Sequence, residues 1–98
     1  MKQADLLKKA QEIQNKLAEV MAQTRAEATS GGGMVTAVSD GNGTIHDLRI
    51  EDEVIDASEK TMLQDLLMAA VNEARRKAQE QARAEAQKIV GIPLPGLF

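Results

Sequence analysis

The feature that most constrains the fold is a short run of glycines and β-prone residues between two long helical patterns. Gly31–Gly33 interrupts any helix, and residues 34–39 have the composition of a strand. Asp40-Gly41-Asn42-Gly43 then holds two overlapping hairpin signals, Asp-Gly and Asn-Gly, which favour a type I′ turn. Residues 44–50 predict the returning strand. The segment 25–30 is compatible with a last helical turn or a short strand, and the strand is favoured because a lone hairpin is marginal in water.

A heptad-like pattern predicts the first helix over residues 3–23. Its apolar or small positions alternate in spacings of four and three: Leu6, Ala10, Ile13, Leu17, Val20 and Thr24. Residues 59–89 contain neither Gly nor Pro and predict a longer second helix, with Asp56 or Ser58 as its N-cap. About 30 helical residues span roughly 45 Å, whereas a compact chain of this length is about 35 Å across. The second helix is therefore expected to project from the body.

The apolar face of the second helix changes width along its length. Residues 62–71 present a wide apolar face that is expected to cover the sheet. Beyond them the face narrows to Ala74, Ala78, Ala82 and Ile89, and the alanine stripe is expected to lie against the first helix or a second subunit. The acidic connector before this helix holds Val54 and Ile55, which are predicted to anchor it to the core.

The composition limits how the chain can bury a core. It has 98 residues, no cysteine and only 1% aromatic residues, so its core must come mainly from aliphatic side chains. Oligomerisation is expected to supply the missing burial. The lack of cysteine excludes disulfides and fits a cytoplasmic location. The longest apolar run, residues 66–71, is too short to span a bilayer, so no membrane partner is expected.

Residues 1–90 are predicted to form one α+β domain. The remaining segment, 91–98, reads Gly-Ile-Pro-Leu-Pro-Gly-Leu-Phe and cannot be helical. It is expected to be flexible unless it docks on a partner.

The net charge of −3 is distributed unevenly along the chain. Residues 1–25 carry five basic and three acidic groups, residues 26–59 one basic and eight acidic groups, and residues 60–98 six basic and four acidic groups. The two helical segments are therefore mildly basic, and the acidity lies in the middle. A partner that contacts the helices would meet positive charge in spite of the negative sum.

No combination of residues predicts catalysis or a metal site. His46 is the only histidine, and its place among apolar residues of a predicted strand favours a structural role. The carboxylates of residues 51–56 lack the spacing of a calcium loop. Gly31–Gly33 opens a strand and is not followed by the Gly-Lys-Ser/Thr of a phosphate loop. We therefore expect no enzyme activity, cofactor, metal or small-molecule substrate.

Basic residues on both helices are candidates for contact with the phosphates of duplex DNA. They are Lys2, Lys8, Lys9, Lys16, Arg75, Arg76, Lys77, Arg83 and Lys88. Lys2, Lys9 and Lys16 repeat every seven residues, and each is followed three residues later by an acidic residue. The alternative interpretation is ion pairing within each helix, for instance between Glu73 and Lys77. With one aromatic residue in the chain, stacking on single-stranded bases is disfavoured.

Three segments are together similar to a known family. They are residues 32–38 (Gly-Gly-Met-Val-Thr-Ala-Val), Gly43 with the strand to Ile50, and residues 59–74 (Glu-Lys-Thr-Met-Leu-Gln-Asp-Leu-Leu-Met-Ala-Ala-Val-Asn-Glu-Ala). The Gln- and Lys-rich first helix and the Pro-Gly segment ending in Phe98 extend the match over nearly the whole chain. On these residues the chain resembles the YbaB/EbfC family of bacterial nucleoid-associated proteins.

The resemblance implies an α-β-β-β-α fold with a three-stranded antiparallel sheet and a homodimer with projecting helices. It also implies DNA binding that alters DNA conformation and contributes to nucleoid organisation and gene regulation. The shared block at residues 59–74 has core positions rather than DNA contacts, so the nine basic candidates rest on the charge pattern of this chain alone. Two other functions stay open: a prefoldin-like chaperone or adaptor, and a protein-interaction module that uses residues 91–98 as a docking peptide.

Overall fold

The computed structural model describes residues 2–91 and shows one small sheet with two helices. Its elements are, in chain order, α1 (Gln3–Gln23), β1 (Ala26–Ser30), β2 (Val35–Ser39), β3 (Ile45–Ile50), the 3₁₀ turns Asp52–Val54 and Ala57–Glu59, and α2 (Lys60–Val90). The predicted α-β-β-β-α order is confirmed, including the strand β1. The segment 91–98 that was predicted to be flexible lies, apart from Gly91, outside the described residues.

The three strands form an antiparallel sheet in chain order, with β2 in the centre. Ala28 pairs with Ala37, and Ala37 pairs with Leu48, so these three side chains share one face of the sheet. This is the inner face, because Ala28 and Ala37 are buried in the core.

The turn between β2 and β3 differs from the type I′ turn that the sequence favours. A type I′ turn needs positive φ at both central residues, but only Gly43 within this turn has a positive φ, of 87°. Its N–H donates to the carbonyl of Asp40 at 3.1 Å. The Asp40 side chain also accepts from the backbone N–H groups of Asn42 and Thr44, at 2.9 and 3.0 Å. The type I′ prediction was wrong because hydrogen bonds from the loop backbone to the Asp40 carboxylate stabilise a different turn conformation.

The core lies between the inner face of the sheet and α2, which packs against β1 and β2. It consists of small buried side chains: Ala28, Val35, Ala37, Ala70 and Ala74. Larger aliphatic side chains of α2 pack at its edge: Leu63, Leu66, Leu67 and Val71. Small core residues allow α2 to approach the strands closely, and the Ser30 hydroxyl donates to the Leu66 carbonyl at 2.6 Å.

Among residues 2–91, the C-terminal end of α1 is the part of this helix that packs against the other elements. The Met21 backbone and the Ala82 side chain both lie beside Gly41. Ala82 and Ala86, one turn further along α2, are fully buried, whereas no residue of α1 is. The alanine stripe of α2 therefore continues from the sheet onto α1, one of the two partners expected for it.

The molecule is elongated, with extents of 67 × 20 × 16 Å. The 31 residues of α2 account for about 46 Å of that length. The remaining length of about 20 Å corresponds to the beginning of α1, where residues 2–16 are all exposed. Both helices extend beyond the short strands of the sheet. The helix α2 does so as predicted, with its far end packed against α1. Residues 2–16 of α1, called the α1 arm below, extend further and are all exposed.

The connector between β3 and α2 follows the prediction in part. Val54 is buried and anchors it, but Ile55 is 61% exposed. The Asp56 side chain accepts from the Ser58 N–H and caps the 3₁₀ turn Ala57–Glu59. The helix α2 begins one turn later without a side-chain cap, so neither predicted residue is its N-cap.

Candidate nucleic-acid interface

The α1 arm carries four of the nine candidate basic residues. Lys2, Lys8, Lys9 and Lys16 are exposed, and within residues 2–91 none of them forms an ion pair. The predicted pairs of each heptad lysine with the acidic residue three positions later are therefore absent from the described chain. Lys2, Lys9 and Lys16 lie on one side of the helix, about 10 Å apart, because seven residues are nearly two turns.

The candidate basic residues on α2 differ in whether their side chains already have partners within the protein. Arg76 is held by two carboxylates, Glu73 at 2.6 Å and Glu80 at 2.9 Å. Hydrogen bonding to the Arg76 guanidinium keeps the pKa of Glu73 below its ordinary value. The sequence predicted pairing along this helix but assigned Glu73 to Lys77, whereas the structure gives both neighbouring glutamates to Arg76.

Two other basic side chains of α2 connect the helix to the sheet. The Arg75 Nε donates to the carbonyl of Gly43 at 2.9 Å, in the β2–β3 turn. The Lys77 Nζ donates to the carbonyl of Glu27 at 2.7 Å, on β1. Sequence reasoning missed both bonds, since each joins residues that are more than 30 positions apart. These two residues have a structural role in addition to any contact with a partner.

The last two candidates lie near the end of α2. Arg83 is exposed and forms no ion pair among residues 2–91. Lys88 pairs with Glu85 at 3.1 Å, in an exposed position where such pairs contribute little. The nine candidates therefore divide into the α1 arm, where lysines face solvent unpaired, and α2, where most basic groups already have partners.

His46 has the structural role that the sequence favours. Its Nε2 lies 2.8 Å from Oδ2 of the buried Asp40. Hydrogen bonding to His46 lowers the pKa of Asp40, so that the carboxylate stays ionised inside the turn.

Within residues 2–91 there is no group of three or more His, Asp or Glu residues placed to hold a metal ion. Over the same residues, no helix is both long enough and apolar enough to cross a membrane.

The fold and its surface define a small α+β protein that presents unpaired lysines on a projecting helix. The chain belongs to the YbaB/EbfC DNA-binding family, whose model matches residues 1–92. This agrees with the resemblance seen in the sequence.

Individual relatives agree with this assignment. A "Nucleoid-associated protein" from Acetivibrio thermocellus is 44% identical over 99 residues, which cover 96% of this chain and 88% of the relative. The nucleoid-associated protein TTE0040 from Caldanaerobacter subterraneus is 42% identical over 98 residues, with the same coverage of 96% and 88%. The crystal structure of uncharacterized protein HP0035 from Helicobacter pylori superposes with a TM-score of 0.73 at 28% identity, over 93% of this chain and 99% of that one. The names of the first two describe nucleoid association and not catalysis.

Proposed function

We propose that the chain is a nucleoid-associated protein that binds duplex DNA as a homodimer, largely through phosphate contacts. In this role it alters DNA conformation in the cytoplasmic nucleoid and contributes to nucleoid organisation and gene regulation. Membership of a DNA-binding family and the names of the bacterial relatives support the proposal.

The observation that carries the proposed contact surface is the set of unpaired lysines on the α1 arm. A lysine whose ammonium group is free can replace a counterion at a phosphate without first giving up a protein partner. The α1 arm carries four lysines and two acidic residues, Asp5 and Glu12, so its net charge is positive. It lies at the end of the molecule, away from the acidic connector. Contact through this arm is therefore favoured in spite of the net charge of −3.

The basic residues of α2 form a second, weaker part of the proposed surface. Arg83 is free to contact phosphate directly. Arg76 must first leave Glu73 and Glu80, and Lys88 must leave Glu85. To contact DNA, Arg75 and Lys77 would have to give up their hydrogen bonds to backbone carbonyls of the sheet region. Phosphate contact without base-edge contact gives binding of low sequence specificity.

The proposed homodimer is supported by large apolar side chains outside the small core. On the inner face of the sheet, Leu48 is 44% exposed because α2 packs over β1 and β2 but not over β3. Ile55 and Leu63 line an apolar cleft of about 300 Å³ beside the start of α2. A second copy that packs on this side would bury these residues while leaving both α1 arms projecting, as a DNA-binding dimer requires.

Fluorescence anisotropy of a labelled duplex of about 30 base pairs, titrated over a series of salt concentrations, tests the proposal. Phosphate contact predicts that affinity falls with salt with a log–log slope of about 0.9 for each contacted phosphate. The triple variant Lys2→Gln, Lys9→Gln, Lys16→Gln should lower the slope by about three. The matched control Arg25→Gln, Arg49→Gln, Lys60→Gln has the same net charge and should keep the slope. Equal losses in both variants would contradict the assignment to the α1 arm, and no binding at low salt would contradict DNA binding itself.

A further inference from the structure

The strand β3 is an open edge of the sheet. It pairs with β2 on one side, and α2 packs over β1 and β2. Residues 46–49 of β3 are all exposed. At the other edge the carbonyl of Glu27 in β1 accepts from Lys77, whereas among residues 2–91 no side chain donates to a carbonyl of β3. An edge of this kind is a template for pairing with another strand.

The backbone groups of Leu48 point toward this open edge. The N–H of Glu51 donates to the carbonyl of Met34 at 2.9 Å, so the backbone groups of Glu51 face the side of β2. Successive residues of an antiparallel pair direct their N–H and C=O groups alternately toward the partner strand and away from it. The register is regular from Leu48 to Ile50. Leu48, three positions before Glu51, therefore has both groups available to a strand on the other side.

The sequence of β3 around Leu48 is self-complementary. In two antiparallel copies related by a two-fold axis at Leu48, each Leu48 lies opposite Leu48 of the second copy, and Asp47 lies opposite Arg49 of the second copy. Opposite charges in this position stabilise a strand pair, and like charges destabilise it. An axis at Asp47 or at Arg49 would place like charges opposite each other. Leu48 is therefore the position at which the strand complements itself.

Both faces of β3 suit this pairing. Asp47 and Arg49 lie on the outer face, where their side chains are 54% and 58% exposed and form an ion pair of 3.1 Å within the chain. Pairing brings each beside an opposite charge of the second copy without burying either. On the inner face Leu48 is 44% exposed, and two copies of it side by side cover apolar surface of each other.

We propose that two copies of the chain pair antiparallel through β3 about Leu48 and form one continuous sheet of six strands. The inference rests on the homodimer of the proposed function and specifies its interface. Because the two-fold axis is perpendicular to the sheet, both α2 helices lie on the same face of it. His46 is the extra residue of a bulge between Asp47 and Ile45, so the regular pairing ends there.

Disulfide trapping tests this interface, since the chain has no cysteine of its own. Facing residues of such a pair have Cα atoms about 5.5 Å apart, within the range of about 4.4–6.8 Å that a disulfide spans. The variant Leu48→Cys should therefore cross-link two chains on mild oxidation. In the control Asp47→Cys the two thiols lie on a diagonal, with Cα atoms roughly 7–8 Å apart or more, which is too far.

The expected result is a disulfide-linked dimer that forms about tenfold faster for Leu48→Cys than for Asp47→Cys, as seen on a non-reducing gel. An equal mixture of Asp47→Cys chains and Arg49→Cys chains should also cross-link, because these two positions face each other. Equal rates for the Leu48 and Asp47 variants would overturn the proposal, since the two positions are both exposed.

Charge reversal gives an independent result. The change Asp47→Arg places like charges opposite each other twice in the dimer and should raise its dissociation constant about tenfold. The double change Asp47→Arg, Arg49→Asp restores both opposite pairs and should restore the constant. A neutral residue at either position creates no like pair, so its effect should be smaller. The control Glu12→Arg, with the same change in net charge, should leave the constant unchanged. A double variant as weak as the single one would overturn the register.

Native mass spectrometry of the unmodified full chain separates failure of this interface from failure of the proposed function. A dimer whose Leu48→Cys variant cross-links no faster than Asp47→Cys would overturn pairing through β3 and leave the homodimer standing. Single chains at every concentration would overturn both. A dimer that forms the Leu48→Cys disulfide but binds no duplex would support the interface and contradict the DNA-binding function.

Discussion

The backbone N–H of Gly41 donates a hydrogen bond of 2.8 Å to the carbonyl oxygen of Met21. This bond joins the β2–β3 turn to the last part of α1, at the point where both meet Ala82 of α2. The base of the α1 arm is therefore fixed by backbone contacts among three elements, and its position depends on the absence of a side chain at residue 41.

The change Gly41→Ala should destabilise this junction. A Cβ at residue 41 would lie 2.8 Å from the Cβ of Ala82 and 2.8 Å from the Met21 carbonyl oxygen, and both are rigid neighbours. Overpacking of this kind costs about 1–3 kcal/mol. Urea unfolding followed by circular dichroism measures the loss. The neighbouring change Asn42→Ala, at an exposed position of the same turn, should cost less than about 0.5 kcal/mol, and a similar cost for the two variants would refute this account.

The change Asp40→Asn should weaken the turn from within. The carboxylate accepts hydrogen bonds from Asn42 and Thr44 and contacts His46. An amide can keep the two backbone bonds through its oxygen, but it loses the negative charge and must donate to the His46 ring nitrogen. The loss should be about 1–3 kcal/mol in the free energy of unfolding. Thermal unfolding near neutral pH measures it, and a variant as stable as the wild type would contradict the role of the carboxylate.

The same residue predicts a pH dependence of stability. The pKa of Asp40 in the folded protein lies below the ordinary value of 3.8, first because of His46 and then because of the backbone N–H groups. The stabilisation it provides is present in full above the unfolded pKa and is lost as the pH falls through the folded value. The wild type should therefore lose stability below about pH 4, and Asp40→Asn should show a shallower acid slope. Parallel acid slopes would mean that other carboxylates dominate.

Release of Arg76 should raise the affinity for DNA. The double change Glu73→Gln, Glu80→Gln removes both carboxylates that hold the guanidinium, and an arginine without partners is available to phosphate. A control with the same change in net charge, Asp47→Asn with Glu51→Gln, separates this effect from the general gain in positive charge. The salt slope should rise by about one in the first variant and stay unchanged in the second. If the two variants behave alike, Arg76 does not contact DNA.

Charge reversal at Arg75 and Lys77 should affect the fold before it affects binding. Each side chain donates to a backbone carbonyl of the sheet region, and glutamate at either position would place a carboxylate beside that oxygen. The double change Arg75→Glu, Lys77→Glu should lower the melting temperature, whereas Lys8→Glu, Lys9→Glu should leave it unchanged. An unaltered melting temperature in the first variant would show that these two bonds do not stabilise the sheet.

The sequence predicted what depends on local pattern. All five main elements were predicted from three local patterns: the glycines around Met34, the apolar face of α2 and the heptad pattern of α1. It also placed the strand β1, for which a last turn of α1 was the alternative. The family resemblance supported the same order.

What depends on contacts between distant residues could not be predicted. The bonds of Arg75 and Lys77 to the sheet join residues 32 and 50 positions apart, and no local pattern marks them. The predicted turn type was wrong because Asp-Gly and Asn-Gly favour the backbone angles of a type I′ turn, whereas the bonds to the Asp40 carboxylate stabilise different backbone angles. The length of α2 correctly predicted that it extends beyond the sheet, but it gave no indication that the beginning of α1 would extend further still. The nine basic residues stay predictions as DNA contacts.

The elongated shape affects how the molecule will behave in gel filtration. A radius of gyration of 18.2 Å is that of a compact protein of about 260 residues, although the chain has 98. A single chain would therefore elute earlier than a compact chain of the same mass. Elution volume alone would overestimate the mass, and the number of subunits has to be determined by a method that measures mass, such as light scattering or native mass spectrometry.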